Sequence, residues 1–271
     1  MVSPIDASLA WLGRGLARFL AQRVQTHGVA PETPRDLLLA ALRPGDVLLV
    51  EGHSRISTAI KYLTQSTWSH ATLYVGGYLQ AAHGNSAHCF VEADIVDGVR
   101  SVGPEEYAGH HTRICRPVGL GDDARRAVCA YVIERIGAHY DLRNVVDLAR
   151  YLLPTPPVPT RLRRRMLAFG SGDPTRAICS TLIAQAFHSI RYPILPLAIR
   201  RDRATPDCPD CFDEVLHIRH HSLFAPRDFD VSPYFRIIKP TLDQGFDHRS
   251  VQWSDDCFAA QEEAPTNRST R

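Results

Sequence analysis

The chain has 271 residues, 44% hydrophobic and 22% charged, a balance too apolar for a disordered polypeptide and a length that can bury a substantial core. Its 31 Lys and Arg stand against 29 Asp and Glu, a formal net charge of +2, so no general polyanion-binding character follows and nucleic acid is not an expected partner. Seven cysteines at irregular spacing, in a chain too long to need staples, point to a reducing compartment, and the expected location is cytoplasmic.

The first segment has apolar Ile5, Leu9, Leu12, Leu16, Phe19, Leu20 and Val24 at spacings of three to four, with Arg14, Arg18 and Arg23 elsewhere on the wheel. This predicts an amphipathic helix, which either packs on the domain or makes peripheral membrane contact through residues 5–24. It has neither the early positive region nor the unbroken apolar core of a secretory signal, and no run of about 18 apolar residues follows anywhere.

"TPRDLLLAALRPGDVLLVEG" reads as a short helix, a Pro-Gly turn and a strand from Asp46 to Glu51, apolar enough to be buried on both faces. A helix over about 54–65 leads to Trp68-Ser69-His70 and the strand "HATLYVGG", where Ala71, Leu73 and Val75 alternate with Thr72, Tyr74 and Gly76. Residues 88–95, 99–103 and 112–119 read as three further strands, which makes about five in one block and suggests an antiparallel sheet. The pattern then turns helical over 122–137, between Asp122-Asp123 and Gly137, and again over 173–190, with Leu182, Ile183, Ala186, Phe187 and Ile190 as its apolar stripe. Between them "PTPPVPT" (154–160) is a stiff connector, and the last dozen residues read as a disordered tail. A sheet followed by helices is an α+β domain. The basic runs "RLRRRM" (161–166) and "AIRRDR" (198–203) read as solvated faces, contact with phosphate or anionic lipid being the other reading.

Cys179 falls in the first turns of the 173–190 helix, where the positive end of the helix dipole and free backbone N–H groups favour a thiolate and can hold a developing oxyanion. A cysteine there is also often a small buried hydrophobe. His70 opens a strand, where a histidine is usually only hydrogen-bonded; paired with a helix-opening cysteine it becomes a candidate base. Glu92, between Val91 and Ala93 on the following strand, is placed to orient the imidazole, or else is a plain surface glutamate; Asp94 is the alternative orienting group. "CPDC", with Cys208 and Cys211, followed by His217, His220 and His221, is a weak zinc signal. The preferred reading there is a surface insertion with its histidines solvated or packed on Trp253 and Phe212. No metal or other cofactor is expected. His188, two turns beyond Cys179, reads as structural.

Six blocks, "LRPGDVLLVEG", "ISTAIKYLTQSTWSHATLYVGG", "VEADIVDGV", "GAHYD", "ICSTLIAQAF" and "FAPRDFDVSPYFRIIKP", together resemble the permuted papain-like cysteine hydrolases of the YiiX/YebB-like type over roughly residues 42–240. These are relatives of the NlpC-type cell-wall peptidases and of the lecithin:retinol acyltransferase-like enzymes. In the permuted branch His comes first, the polar residue next and Cys last, the order found here. The resemblance implies a circularly permuted papain-like (NlpC-like) fold with Cys179 as nucleophile, His70 as general base and Glu92 as its orienting partner. Ser180 continues the "CS" pair and Tyr140 falls in the "HYD" that lines such sites; Tyr140, Ser180 and Trp68 are the residues expected against substrate. The segment between His70 and Glu92 departs from the family by its length and by His83 and His88. The implied layout is an N-terminal helix and linker (1–35), a hydrolase domain (36–240) with an insertion at about 200–222, and a C-terminal extension (241–271).

The expected function is hydrolysis or acyl transfer at an amide, ester or thioester of a small peptide-like or lipid-like substrate. The alternatives are a non-catalytic module holding an acyl chain or peptide in the same cleft, and a protein-cleaving cysteine protease.

Overall fold

The computed structural model describes residues 22, 33–83, 87–138, 178–203, 208, 212–243, 245 and 247–250. The expected N-terminal helix, the proline-rich connector, Tyr140, Cys211, Trp253 and the C-terminal tail lie outside them.

Six antiparallel strands form the central sheet in the order β4-β3-β2-β1-β5-β8: β1 (Val47–Val50), β2 (His70–Tyr74), β3 (Phe90–Asp94), β4 (Gly98–Val102), β5 (Thr112–Pro117) and β8 (Phe235–Ile238). An α+β architecture with an antiparallel sheet is therefore what the chain adopts. Five of these strands match the expectation in place; the sixth, "FRII", is too short to stand out and earns its place by pairing with β5.

Side chains alternate between faces along each strand, as a pleat requires, and the register pairs odd with odd and even with even across the sheet. Val47, Leu49, Ala71, Leu73, Val91, Ala93, Val99 and Cys115 face one hydrophobic layer, formed with α4 (Asp122–Ile133) and α5 (Ile178–Ser189). Leu48, Val50, Phe90, Val102, Ile114 and Ile238 face a second, smaller layer containing Leu38, Ala41 and Leu42 of α1 and its end (Arg35–Ala41), together with Tyr107. The β2 alternation therefore does not mean one wet face: Thr72 is fully buried, because the second face is also covered.

β2 is delivered by α2 (Arg55–Thr64), whose N-cap Ser54 accepts the Ser57 N–H at 3.1 Å and which ends at Gln65 in the left-handed region. The Ser69 hydroxyl then accepts the Gly52 N–H at 2.9 Å and fixes the chain one residue before His70. Beyond β2, Gly76 at φ +53° turns the chain into a short helix, α3 (Tyr78–His83), so the long stretch between His70 and Glu92 is partly helical rather than extended strand.

The residues at about 200–222 include a separate two-stranded hairpin, β6 (Leu197–Asp202) with β7 (Phe212–His217). It is a regular element, with Leu197, Ile199 and Leu216 exposed on it.

Candidate active site

The β2–β3 ladder consists of only two pairs, Leu73↔Val91 and Tyr74↔Phe90, so the strands part before His70 is reached. α5 begins against this opening. Cys179, its second residue, is 5% exposed, and its sulfur accepts the Ala71 N–H, a donor the parted ladder leaves available. Of the stripe predicted from the helical period, Leu182, Ile183, Ala186 and Phe187 are buried and hold the helix in this register, while Ile190 lies just past the helix end and is partly buried.

His70 joins the two halves. Its Nε2 lies 2.6 Å from Glu92 Oε2, and its ring is also hydrogen-bonded to Cys179. Glu92 is 2% exposed, so the surface-glutamate reading is overturned. Asp94 is not the orienting group: its Oδ1 accepts the Val96 and Asp97 N–H groups and closes the β3–β4 turn, where Gly98 stands at φ +76°.

Glu92 has two further partners that sequence reasoning missed. Arg100 donates from Nε to Oε1 at 2.9 Å, its Nη2 lies 2.8 Å from the same oxygen as an ion pair, and the Tyr107 hydroxyl donates to Oε2 at 2.7 Å. Arg100 was findable, because an Asp-Gly turn closing Asp94↔Gly98 puts residue 100 opposite residue 92. Tyr107 was not: it ends a single 3-10 turn, Pro104–Tyr107, whose direction no periodicity announces.

The electrostatics follow from these partners. Burial alone would raise the Cys179 thiol, but the His70 charge and hydrogen bond, the Ala71 N–H and the Ser180 hydroxyl outweigh it, and its pKa is lowered. For His70, burial works against the cation, yet the Cys179 sulfur and the Glu92 carboxylate prevail and hold its pKa well above the usual histidine value. Glu92 would likewise be raised by burial; His70, Tyr107 and Arg100 bring it down to about 2. The three shifts point the same way, each favouring the charged form beside its neighbour: thiolate, imidazolium and carboxylate. The other buried thiols go the other way. Burial pushes Cys129 up to about 12 and Cys115 further still.

The remaining predicted residues separate. Ser180 is fully buried, its hydroxyl 3.9 Å from the Cys179 sulfur. Trp68, expected against substrate, is packed instead: it is 2% exposed, its indole N–H donates to Asp230 at 3.0 Å, and His111 and Arg113 cover its ring at 5.0 and 4.9 Å. His188 packs edge-on against Phe224, 5.4 Å between rings, in keeping with a structural role. His88 pairs with Ser101, away from the imidazole of His70. Cys208 is held in a disulfide, contrary to the expectation of reduced thiols, which leaves it no free thiolate for zinc; Cys89, Cys115, Cys129 and Cys179 are free. The rings of His220 and His221 meet at a tilt, 4.1 Å between centroids. Among the described residues, no group of three or more His, Cys, Asp or Glu is placed to hold a metal ion, and no helix is long and apolar enough to cross a membrane.

The fold and site thus define a helix-opening cysteine, a strand-opening histidine and a buried carboxylate in hydrogen-bonded series on an α+β frame. No family model matches the chain, and no curated protein matches it. Among solved structures it is similar to one titled as the metalloprotein yiiX from Escherichia coli O157:H7, at 15% identity over 73% of this chain and 97% of that one, with a TM-score of 0.43.

Proposed function

We propose that the chain is a thiol-dependent hydrolase or acyltransferase of the permuted papain-like kind, acting through an acyl-enzyme on Cys179. The observation that carries this reading is the hydrogen-bonded series Cys179–His70–Glu92, with the sulfur at the start of a helix and its pKa lowered in spite of burial.

In the first half-reaction the Cys179 thiolate adds to the carbonyl carbon of an amide, ester or thioester. The oxygen becomes an oxyanion, assigned on this reading to backbone N–H groups beside Cys179. The tetrahedral species collapses, the bond to the leaving group breaks, and the His70 imidazolium gives that group its proton. In the second, His70 removes a proton from water or from an acceptor alcohol or amine, which adds to the thioester; the carbon–sulfur bond breaks and the thiolate returns. With Nε2 committed to Glu92, Nδ1 is the nitrogen that exchanges protons with the sulfur side.

Small peptide-like and lipid-like acyl donors are the substrate classes this chemistry serves. A thiol-directed acyl probe should label Cys179, and Cys179→Ala should abolish labelling while circular dichroism stays that of the wild type. Undiminished labelling of the variant would show another nucleophile. Cys179 titrating as an ordinary thiol near pH 8.5 would favour a binding module in the same cleft.

A further inference from the structure

We infer that Arg100 and Tyr107 are positioning residues for His70, acting through Glu92: together they hold both oxygens of that carboxylate, one by an arginine ion pair and the other by a phenol hydrogen bond beside the imidazole. This rests on the thiol-enzyme reading and extends it by two residues that never touch substrate.

An ionised carboxylate has about four lone-pair sites. On Glu92, Oε1 accepts from Arg100 Nε and is ion-paired with Nη2 of the same guanidinium, and Oε2 accepts from Tyr107 and from His70. The carboxylate therefore cannot swing about its own axis without breaking a charge-assisted bond. Since it is an acceptor only, His70 Nε2 must carry a hydrogen, and the tautomer of the neutral ring is set with Nδ1 free to act as base.

Each member of the clamp is itself held. Arg100 lies directly opposite Glu92 in the β3–β4 register and donates to Asp97 at 3.2 Å and to Glu106 at 3.0 Å, with Asp94 adding to the negative field around it. Tyr107 is buried, its ring edge-on to Phe90 at 5.1 Å, which is in turn edge-on to Tyr74 at 5.1 Å. Burial and the nearby Glu92 charge keep the phenol protonated far above the usual tyrosine range, so it only donates to the carboxylate. The charged and titratable groups facing Glu92 are thus His70 from β2, Arg100 from β4 and Tyr107 from the 3-10 turn; Cys179 of α5 acts on it through His70.

Without the clamp, burial would dominate and Glu92 would take up a proton at a higher pH. A neutral Glu92 no longer supports the imidazolium, and the Cys179 thiolate is lost with it. The test is the pH dependence of Cys179 alkylation by iodoacetamide, followed on the Cys179 peptide by mass spectrometry and needing no substrate. Arg100→Gln should move the acid limb of that profile upward by about one to three pH units. Tyr107→Phe should move it less in the same direction, and Arg100→Lys should largely restore it. An acid limb unmoved in folded Tyr107→Phe and Arg100→Gln would overturn the clamp. Should Arg100→Gln not fold, Tyr107→Phe, which deletes a single oxygen atom, decides. Ordinary thiol titration of Cys179 in the wild type would instead sink the underlying thiol-enzyme reading, so the two failures are told apart.

Discussion

Two buried carboxylates on the same side of the sheet meet arginines and shift in opposite directions. Asp46, 1% exposed at the start of β1, takes Arg116 Nε on Oδ1 at 3.0 Å and Nη2 on Oδ2 at 2.7 Å, with the Arg43 N–H at 2.8 Å. Burial still pushes its carboxyl up. Glu92, equally buried, is driven down to about 2 because it faces two cations, His70 and Arg100, and a phenol donor. The Arg116 and Arg43 charges do not offset the desolvation of Asp46, whereas His70, Arg100 and Tyr107, with hydrogen bonds to both oxygens, together do at Glu92. The Asp46 pair joins β1 to β5 and binds the carbonyl of Ala41, a structural knot. The Glu92 cluster opens at one end onto a sulfur.

The largest effect expected from breaking this contrast is on the site side. Glu92→Gln places an NH₂ group against Arg100 in one orientation and against His70 and Tyr107 in the other, so no flip restores the acceptor set. Acylation of Cys179 should fall by about 10²- to 10⁴-fold, the range for losing general acid–base function, measured by probe labelling rates. Asp46→Ala should instead leave that rate unchanged per folded molecule and cost about 3–5 kcal/mol in chemical denaturation, since Arg116 is left buried without its counter-charge.

Acid unfolding separates the two groups further. Glu92 has a folded pKa of about 2 against an ordinary 4.5, so its contribution is present above pH 4.5 and is lost as the pH falls toward 2. The shift corresponds to on the order of 3 kcal/mol. Asp46, raised in the fold, has the opposite sign: its contribution is present at low pH and declines as the pH rises through its folded pKa. A wild-type protein should therefore lose stability between pH 4.5 and 2, and Glu92→Gln should flatten that decline, measured by denaturant midpoint against pH. At the small end, the exposed pair Arg35–Glu105, 2.6 Å apart, has the same chemistry in water; Arg35→Ala should change stability by no more than about 1 kcal/mol.

How much of this was legible depended on the kind of signal. α2, α4, the described part of α5 and five sheet strands were readable because each has a local period, and the candidate trio was readable as residue types at the openings of those elements. β8 and the β6–β7 hairpin were missed as strands because four or six residues with mixed polarity carry no period of their own and are extended only by virtue of a partner. The Trp68 expectation erred for a related reason. A Trp beside a candidate base looks like a substrate contact until Asp230, from a distant helix, is seen to take its N–H.

Strand alternation by itself determined which side chains share a face within a strand, His70, Thr72 and Tyr74 on one and Glu92 and Asp94 on the next, while the register brought these sets and Arg100 together. It could not say whether that face is wet. Only the tertiary structure decided this, by laying α1 and Tyr107 over the sheet, and burial is what turns Glu92 from a solvated acid into a charge that must be satisfied at every lone pair. The sequence likewise supplied a thiol at the start of a helix, where its charge is favoured. The parting of β2 from β3, which frees the Ala71 N–H and lets His70 reach the sulfur, is a property of the assembled sheet, because a ladder ends where two strands diverge and neither strand encodes that point alone.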